Sequence, residues 1–498
     1  MREVLEEKEL NVRGVPVKIT IFKRKGDFIP AYFVEIPSIR RATKSILEKI
    51  KREITEEIGF SPEEMSDINL IRKLEERIKD KIKEKIEKYL LVKDEAAKNI
   101  LCGYLLMETL GLGVLDVFLE DGELEEVVIN NAIDPIYVFH RKWGWLKTNI
   151  NIGSEEKLFH LAQEIGRRAG RQIDLLHPLL DAHLPTGDRV NATLSPISTF
   201  GNTLTIRKFR RIPFTIVDLI NNGTVNTEIA AFSWLCVQYE MSTLISGGTA
   251  SGKTTYLNCI SCFFPPNHRI VSIEQTREIN LPSFLHWVPL VTRSANPEGL
   301  GEVTMYDLMI NALRMRPDRI IVGEVRRKEE AEVMFEAMRT GHSVYGTLHA
   351  NTVDHFIKRM TSPPISMEPQ VLEAIDAVFV LYRDRKRGIR RMLEVGELIP
   401  TERGITYNLI YRWRPATDTF TPMAESKRLF PELELFTGMT PKEIVDDIKE
   451  KMQVLDWMRK WNVNTVDDIG KIVAVYYTDR EYLLDLVWKD KNPFEEVL

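Results

Sequence analysis

The second half of this 498-residue chain predicts an α/β fold built around a mostly parallel sheet. Three short apolar runs, TLISGG at 243–248, RIVSIEQ at 269–275 and RIIVGEV at 319–325, are separated by helix-compatible sequence. Strands that alternate with helices form a parallel sheet covered on both faces. We therefore predict this architecture for residues 226–436, preceded by α+β domains and followed by a small helical tail at 437–498.

The first 110 residues predict a variable, charged and largely helical domain that opens with short strands. Residues 1–35 alternate apolar and polar positions, whereas residues 40–110 read as helix. One helix face there carries a regular apolar stripe, formed by Ile71, Leu74, Ile78, Ile82 and Ile86. A stripe of this kind either packs inward or docks a partner, and we favour inward packing because most amphipathic helices pack that way.

Residues 111–225 predict a second, small α+β domain. Alternating runs such as EEVVINN and RVNATLSPI flank one helix at about 154–170. Its last part, residues 211–226, contains Pro, Gly and Asn, and this composition favours a linker.

Composition excludes several classes of protein. Lys and Arg number 68 and Asp and Glu 73, so the net charge of −5 gives no global attraction to nucleic acid. Four cysteines are too few for a disulfide framework and indicate a reducing compartment. The sequence lacks a secretory signal and a long apolar run, so we expect any membrane role to go through a partner.

The segment that follows the first apolar run has the chemistry of a phosphate-binding loop. It matches G-x-x-x-x-G-K-[ST], and its strand–loop–helix context makes the match specific. Successive backbone amides and the following helix favour an anion, Lys253 adds a positive charge, and the Thr254 hydroxyl suits Mg²⁺. The predicted binding residues are Gly247, Gly248, Thr249, Ala250, Ser251, Gly252, Lys253, Thr254 and Thr255.

Three acidic residues and two histidines complete the predicted site. Glu324 ends an apolar strand, as a Walker B acid does, and is predicted to share the metal with Thr254. Glu274 or Glu278, after another strand, could polarise a water, but two solvated acids are an equal alternative. His342 and His349 flank a strand-like run, which places His349 at a sheet end near the nucleotide.

Cys259 and Cys262 form a CxxC pair in the helix after the loop. Zinc binding or redox chemistry would need a second pair or an exposed thiol. Because no second CxxC exists in the sequence, we predict two cysteines in the core of the domain.

Four segments in order, GTASGKTT, IEQTRE, RMRPDRIIVGEVR and TGHSVYGTLHAN, resemble the Walker A, Asp box, Walker B and His box of the type II/type IV secretion ATPase superfamily. LPTGDRVNATLSP, LTIRKFRR and GLGVLDVFLEDGELEEVVINN extend the resemblance upstream, so that it covers roughly residues 105–400. The wording TASGK and the lack of a tetracysteine module resemble the archaeal branch.

The resemblance implies a RecA-like ATPase domain, a PAS-like domain at 111–225, and ATP with Mg²⁺ as ligands. It implies that Glu278 aligns the water, and that His349, with His342 beside it, senses the γ-phosphate. It also implies arginines that reach the nucleotide of a neighbouring subunit, at Arg189, Arg207 and Arg210. Without the resemblance, ordinary strand-surface arginines are the better interpretation.

The same resemblance implies a homo-hexamer in the cytoplasm, at the inner face of the cytoplasmic membrane. Its partner would be a polytopic membrane platform protein, and its indirect substrates pilin-like or exported proteins. Archaellum assembly or rotation and conjugation-type DNA transfer are the alternatives within the superfamily, although the net charge disfavours nucleic acid.

Two positions depart from the family pattern. Gln275 stands where the Asp box usually has Asp, and Gly248 where relatives often have Glu. The first departure leaves open a member that binds ATP without turnover. The sequence contains no NKxD guanine-reading segment, which disfavours a GTPase.

Overall fold

In the computed structural model, the described residues are 2–58, 68–90, 92, 94–184, 186–209, 213–293, 295, 299–402 and 404–498. They divide into two compact units, Met1–Arg211 and Ile212–Leu498. Among the helices of these residues, none combines the length and apolarity needed to cross a bilayer.

The first unit contains nine strands and five helices among the described residues. Its strands are β1 (Arg2–Val12), β2 (Val15–Arg24), β3 (Ala31–Glu35), β4 (Leu124–Ile129), β5 (Tyr137–His140), β6 (Gly144–Thr148), β7 (Leu179–His183), β8 (Arg189–Thr193) and β9 (Thr203–Arg207). Its helices are α1 (Arg41–Glu57), α2 (Ile68–Leu90), α3 (Glu95–Thr109), α4 (Leu115–Glu120) and α5 (Glu155–Arg168).

All nine strands form one sheet in the order β1-β2-β3-β6-β5-β4-β9-β8-β7. The parallel pairing of β3 with β6, with Ala31 opposite Lys147, joins the first strands to the later ones. The predicted boundary at residue 110 therefore lies inside this unit, because the first 35 residues and residues 124–207 share backbone hydrogen bonds.

Helices α1 to α3 pack around their own apolar cluster. Leu74, Ile78, Ile82 and Ile86 are all buried in it, which confirms that the stripe of α2 packs inward. The side chain of Ile71 lies outside the described set. The predicted helix at 154–170 is present as α5, which begins at a Ser154 cap whose hydroxyl accepts from the Lys157 amide.

The second unit holds the predicted α/β architecture. Its strands are β10 (Thr243–Gly247), β11 (Arg269–Glu274), β12 (His286–Val291), β13 (Arg319–Val322), β14 (Ser343–Leu348), β15 (Ala377–Asp384), β16 (Ile389–Thr401), β17 (Gly404–Arg414) and β18 (Thr419–Pro422). Its helices are α6 (Ile216–Asn221), α7 (Thr227–Gln238), α8 (Lys253–Ser261), α9 (Met305–Leu313), α10 (Lys328–Arg339), α11 (Val353–Thr361), α12 (Leu429–Thr437), α13 (Pro441–Lys460), α14 (Val466–Thr478), α15 (Arg480–Trp488) and α16 (Pro493–Glu496), with a 3₁₀ turn at Pro369–Ala374.

The second sheet has the order β12-β11-β13-β14-β10-β15-β16-β17-β18. The five pairings from β12 to β15 are parallel, and the three pairings from β15 to β18 are antiparallel. Separate apolar clusters cover its two faces, one including α7, α8 and α13 and the other α9, α10 and α11. This arrangement confirms the predicted mostly parallel sheet with helices on both faces.

The tail at 437–498 is helical, as predicted, and packs on α7 within the second unit. Trp234 of α7 is buried, stacks on Phe263 at 4.9 Å and donates from its indole nitrogen to the Tyr477 hydroxyl at 2.9 Å. The segment predicted as a linker, 211–226, contains α6, four of whose residues are buried. Burial of this kind anchors the start of the unit to its core.

Candidate functional site

The segment between β10 and α8 is a tightly wound loop. Gly247, Ala250 and Gly252 have positive φ angles of 145°, 59° and 98°. Such angles favour glycine, because a side chain clashes with its own backbone there. A Cβ on Gly247 would also lie only 2.3 Å from the Leu381 carbonyl oxygen of β15. The glycines of the motif therefore serve backbone geometry, which leaves the loop's amides available to a ligand.

The start of α8 provides donors at the end of this loop. The helix begins at Lys253, so the first amides of its opening turn, which includes Thr254 and Thr255, lack partners within the helix. The hydroxyl of Ser251 is buried and has no hydrogen-bond partner among the described residues. Because buried polar groups are nearly always paired, this orphaned hydroxyl fits a site that a phosphate completes.

Lys253 is a buried cation without a carboxylate partner in the described part of the chain. Its side chain lies among neutral groups, with Nζ 3.3 Å from the Gly248 carbonyl oxygen and 3.2 Å from Nδ1 of His349. Burial lowers the pKa of Lys253, and the carboxylates of Glu324 and Glu278 oppose that lowering. A buried charge normally has a counter-ion, so this arrangement fits an anionic ligand.

A polar chain links Lys253 to the acid after β13. Nε2 of His349 lies 2.9 Å from one oxygen of Glu324, and the other oxygen accepts from Arg326 at 2.6 Å. Arg326 in turn donates to the side-chain oxygen of Gln275 at 2.9 Å. These groups meet because β14 lies between β10 and β13, so the carboxyl ends of the three strands are adjacent.

The surroundings of His349 favour its neutral form. Burial and the positive charge of Lys253 lower the pKa of His349, whereas Glu324 opposes the shift. A neutral imidazole both donates and accepts, so His349 can relay a change at Lys253 to Glu324.

Glu274 and Glu278 have different environments. Glu274 is 2% exposed, and its Oε1 accepts from the amides of Glu278 and Ile279 at 2.8 and 3.0 Å. Burial raises the pKa of Glu274 to about 7. Glu274 therefore shapes the turn that carries Glu278, whose own side chain is exposed. Of the two, Glu278 is the carboxylate available to a water.

Several predicted residues lie away from this group. His342 precedes β14 and His349 follows it, so about 20 Å of strand separates them. His342 instead contacts the Thr340 hydroxyl at 3.1 Å, and the structure gives no support to a catalytic role for it.

The predicted arginines belong to the first unit, and the phosphate loop belongs to the second. Arg189 makes two contacts with Asp181, at 3.0 and 2.7 Å, and lies opposite Arg207 across β8 and β9. Arg210 lies outside the described residues. A role for these arginines in trans stays a prediction.

Two arginines of the site were not predicted from the sequence. Arg326 lies two positions after Glu324 in the sequence. Its contact with Gln275 could not be predicted, because it forms only where β11 and β13 are neighbours in the sheet. Arg390 of β16 donates from Nε to the Ala250 carbonyl oxygen in the phosphate loop, at 3.1 Å. The one sequence signal for Arg390 is the run RDRKRGIRR at 383–391, whose position beside the loop depends on the β15–β16 hairpin.

The residues fit a magnesium ion held mainly by phosphate. Within the described ranges, no group of three His, Cys, Asp or Glu side chains could hold a metal by itself. Mg²⁺ commonly takes one or two protein oxygens together with phosphates and water, and Thr254 and Glu324 are the candidates here.

The four cysteines are free and buried, which confirms the prediction that Cys259 and Cys262 are core residues.

Comparisons with known proteins relate most of this chain to one family. Residues 119–385 match the sequence profile of the family described as type II/IV secretion system protein. The uncharacterized protein MJ0900 of Methanocaldococcus jannaschii is 35% identical over 392 residues, 76% of this chain and 68% of that protein. A putative conjugal transfer protein of Mycobacterium tuberculosis, MT3759, is 34% identical over 310 residues, 59% of this chain and 86% of the relative.

Among solved structures, the ATPase DotB of Legionella pneumophila is 22% identical, covers 74% of this chain and 93% of its own, and has a TM-score of 0.40. The sequence profile spans more than half of the chain and contains the phosphate loop, Glu324 and His349. The chain belongs to the type II/IV secretion system protein family.

Proposed function

We propose that this protein binds ATP with Mg²⁺ at the loop 247–254 and hydrolyses it to drive protein export or the assembly of type IV pilus-like filaments. The observation that carries the proposal is the meeting of Lys253, Glu324 and His349 at the carboxyl ends of β10, β13 and β14. Binding and hydrolysis of a nucleoside triphosphate need a cradle of amides, a cation and an acid beside the γ-phosphate, and this site has all three.

Each residue has a distinct task in the proposal. The loop amides and Lys253 bind the β- and γ-phosphates, and the Ser251 hydroxyl gains the partner that it lacks. Mg²⁺, held by Thr254 and Glu324, would offset charge on the phosphates. Glu278 orients the attacking water, on a turn that Glu274 fixes. His349 links the position of Lys253 to Glu324 and so reports whether a γ-phosphate is present.

The proposal includes a homo-hexameric ring at the inner face of the cytoplasmic membrane, working on a polytopic platform protein. Arginines of the first unit would complete the site of the neighbouring subunit, as arginine fingers do. Arg207 is the first candidate, because Arg189 already makes two contacts with Asp181.

Phosphate release by the purified protein, with and without Mg²⁺, beside its mass by light scattering, tests the proposal. We expect Mg²⁺-dependent turnover and a mass near six chains when ATP is present. Mixing the inactive variants Lys253→Ala and Arg207→Ala tests the role in trans, since mixed rings contain intact sites only if the arginine comes from a neighbour. No turnover in any condition, including with membranes, would contradict the proposal.

A DNA-transfer motor is the second candidate, because a relative at 34% identity is named a putative conjugal transfer protein. Double-stranded DNA would then stimulate hydrolysis, and the stimulation would fall steeply with salt concentration. Hydrolysis that DNA leaves unchanged would favour the protein-export and filament-assembly proposal.

A further inference from the structure

The loop between β2 and β3, residues 25–30, has an unusual surface for a hairpin connection. Phe22 and Ala31 are the last residues that pair β2 with β3, and Lys23 and Arg24 continue β2 opposite Glu3 and Arg2 of β1, so the chain leaves the sheet after Arg24. The amide of Asp27 donates to the Arg24 carbonyl oxygen at 3.0 Å, and Gly26 has a φ of 101°. The loop is therefore a defined turn, which we call the β2–β3 loop.

An aromatic side chain projects from this loop into solvent. Phe28 is 101% exposed, so it buries no more of its surface than in an extended chain, and Ile29 beside it is 39% exposed. Water disfavours such apolar surface. These two adjacent side chains are therefore available for contact with an apolar phase, and the charges beside them distinguish this site from other exposed aromatics of the chain.

Three cations come shortly before this aromatic in the chain. Lys23 and Arg24 end β2, Lys25 begins the loop, and all three are exposed, against Asp27 in the loop and Glu3 opposite Lys23. The Arg24 guanidinium lies over the ring of Phe22 at 5.2 Å, and none of the three cations forms an ion pair with a carboxylate in the described part of the chain. This end of the hairpin is thus locally basic in a chain whose net charge is −5.

The neighbouring strand extends the same chemistry. The backbone amide of Lys147 in β6 donates to the Pro30 carbonyl oxygen at 3.0 Å, at the base of the loop. The side chain of Lys147 is exposed. Trp145 lies two residues earlier on the same face of β6, is 42% exposed and meets Phe139 edge to face at 5.2 Å. A second aromatic and a fourth cation therefore lie beside the loop.

We infer that the β2–β3 loop inserts into a bilayer surface that contains anionic lipid. Phenyl and indole rings enter the interfacial region of a membrane, while lysine and arginine are attracted to anionic headgroups. The tip presents a fully exposed ring close in sequence to exposed cations, a combination that suits an anionic lipid surface. The inference goes beyond the proposed function and needs no nucleotide.

Co-flotation of the full-length protein with vesicles tests the inference. We expect binding to vesicles of phosphatidylglycerol and phosphatidylcholine in equal amounts, weakened by salt. We expect no binding to phosphatidylcholine alone, because headgroup attraction supplies part of the affinity. Phe28→Ala and the double change Lys23→Glu with Lys25→Glu should each lower the apparent affinity about tenfold or more.

Matched controls come from an exposed aromatic and an exposed lysine in the second unit. Phe436 is 80% exposed on α12, and Lys442 is exposed on α13. Phe436→Ala and Lys442→Glu should bind like the parent, and Phe28→Trp should retain binding because its ring is equally suited to the interface.

Three outcomes would overturn the inference: no binding of the parent to anionic vesicles, equal binding of Phe28→Ala and the parent, or equal loss in the controls. Because the loop variants change only exposed side chains, circular dichroism should show an unchanged fold. ATP turnover without lipid should also be unchanged, which separates a failure here from a failure of the proposed function.

Discussion

Each end of β13 and β14 has a cationic side chain beside a histidine, but the two ends differ in the exposure and the partners of these side chains. At the carboxyl ends, Glu324 and His349 are partly exposed, beside a Lys253 that has no carboxylate partner among the described residues. At the amino ends, Arg319 is 0% exposed, and donates to His268 at 3.0 Å and to the Tyr345 hydroxyl at 2.8 Å.

The difference shows how a site is distinguished from a scaffold within one sheet. Arg319 is enclosed, with Glu240 3.6 Å from its Nη2 as a counter-ion and the ring of Phe264 5.6 Å away, although Nη2 has no hydrogen-bond partner among the described residues. The carboxyl-end group keeps a cation without a counter-ion and the buried, unpartnered Ser251 hydroxyl. Residue type and an unpartnered buried polar atom occur in both clusters, whereas exposure and the absence of a carboxylate partner for Lys253 among the described residues separate them.

The largest expected effect is that of Lys253→Ala. Removing the cation of the phosphate loop should lower ATP turnover about a thousandfold, because positioned charge dominates phosphoryl transfer. Circular dichroism should show an unchanged fold. Turnover within tenfold of the parent would show that the phosphate loop is not the active site.

Arg319→Ala should have the opposite profile. We expect a loss of about 3 kcal/mol in the free energy of unfolding, because the change leaves a cavity and removes the partner of His268 and Tyr345. Turnover per folded molecule should stay near that of the parent. An Arg319→Ala variant that is as stable as the parent but inactive would contradict the view that the amino ends of β13 and β14 are structural and the carboxyl ends functional.

Glu274→Gln should change how the free energy of unfolding depends on pH. The pKa of Glu274 is about 7 in the fold, above its ordinary 4.5, so the folded state holds a proton that the unfolded state releases. This contribution is complete below about pH 4.5 and is lost as the pH rises through about 7, a change of up to about 3 kcal/mol.

The amide side chain that replaces the Glu274 carboxyl does not titrate in this range. The free energy of unfolding of the variant should therefore lack the fall expected for the parent as the pH rises through about 7. Denaturant unfolding at about pH 5 and about pH 8 measures the difference between parent and variant. Parallel curves for the two proteins would contradict the assigned pKa. Turnover should fall in the variant as well if the turn carrying Glu278 shifts.

The histidine pair tests the comparison on matched residues. His349→Ala should lower kcat about tenfold, since it breaks the link between Lys253 and Glu324. His342→Ala, at the other end of the same strand, should leave kcat within about twofold. Steady-state kinetics of both variants measure this directly, and equal effects would refute a special role of the carboxyl end.

Arg390→Ala should have the smallest effect. The change removes the donor to the Ala250 carbonyl oxygen and loosens the phosphate loop without removing a ligand group. We expect KM for ATP to rise about threefold and kcat to change little. Arg383→Ala, in the preceding strand, is the control, and an equal rise in KM there would point to general charge instead.

Local sequence was sufficient for the elements whose signals are short. The phosphate loop, the helix at 155–168 and the acid after β13 follow from neighbouring residues alone. The β3–β6 pairing could not be predicted, because it joins residues more than a hundred positions apart. Local patterns do not contain such pairings.

The same limit applies within the site. Residue type alone left Glu274 and Glu278 equivalent, and only the family resemblance favoured Glu278. The structure separates their environments, because Glu274 is buried and accepts from two backbone amides. Arg390 and the Arg326–Gln275 contact depend on strand order, which residue types do not determine. His342 shared a segment with His349, yet a buried strand separates them.

A crystal structure with Mg²⁺ and a non-hydrolysable ATP analogue tests the central claim most directly. We predict the triphosphate in the loop 247–254, with Nζ of Lys253 within about 3 Å of a phosphate oxygen and no longer beside His349. The Ser251 hydroxyl should become hydrogen-bonded. A nucleotide bound elsewhere, or a bound nucleotide with Lys253 still held by His349, would contradict the account.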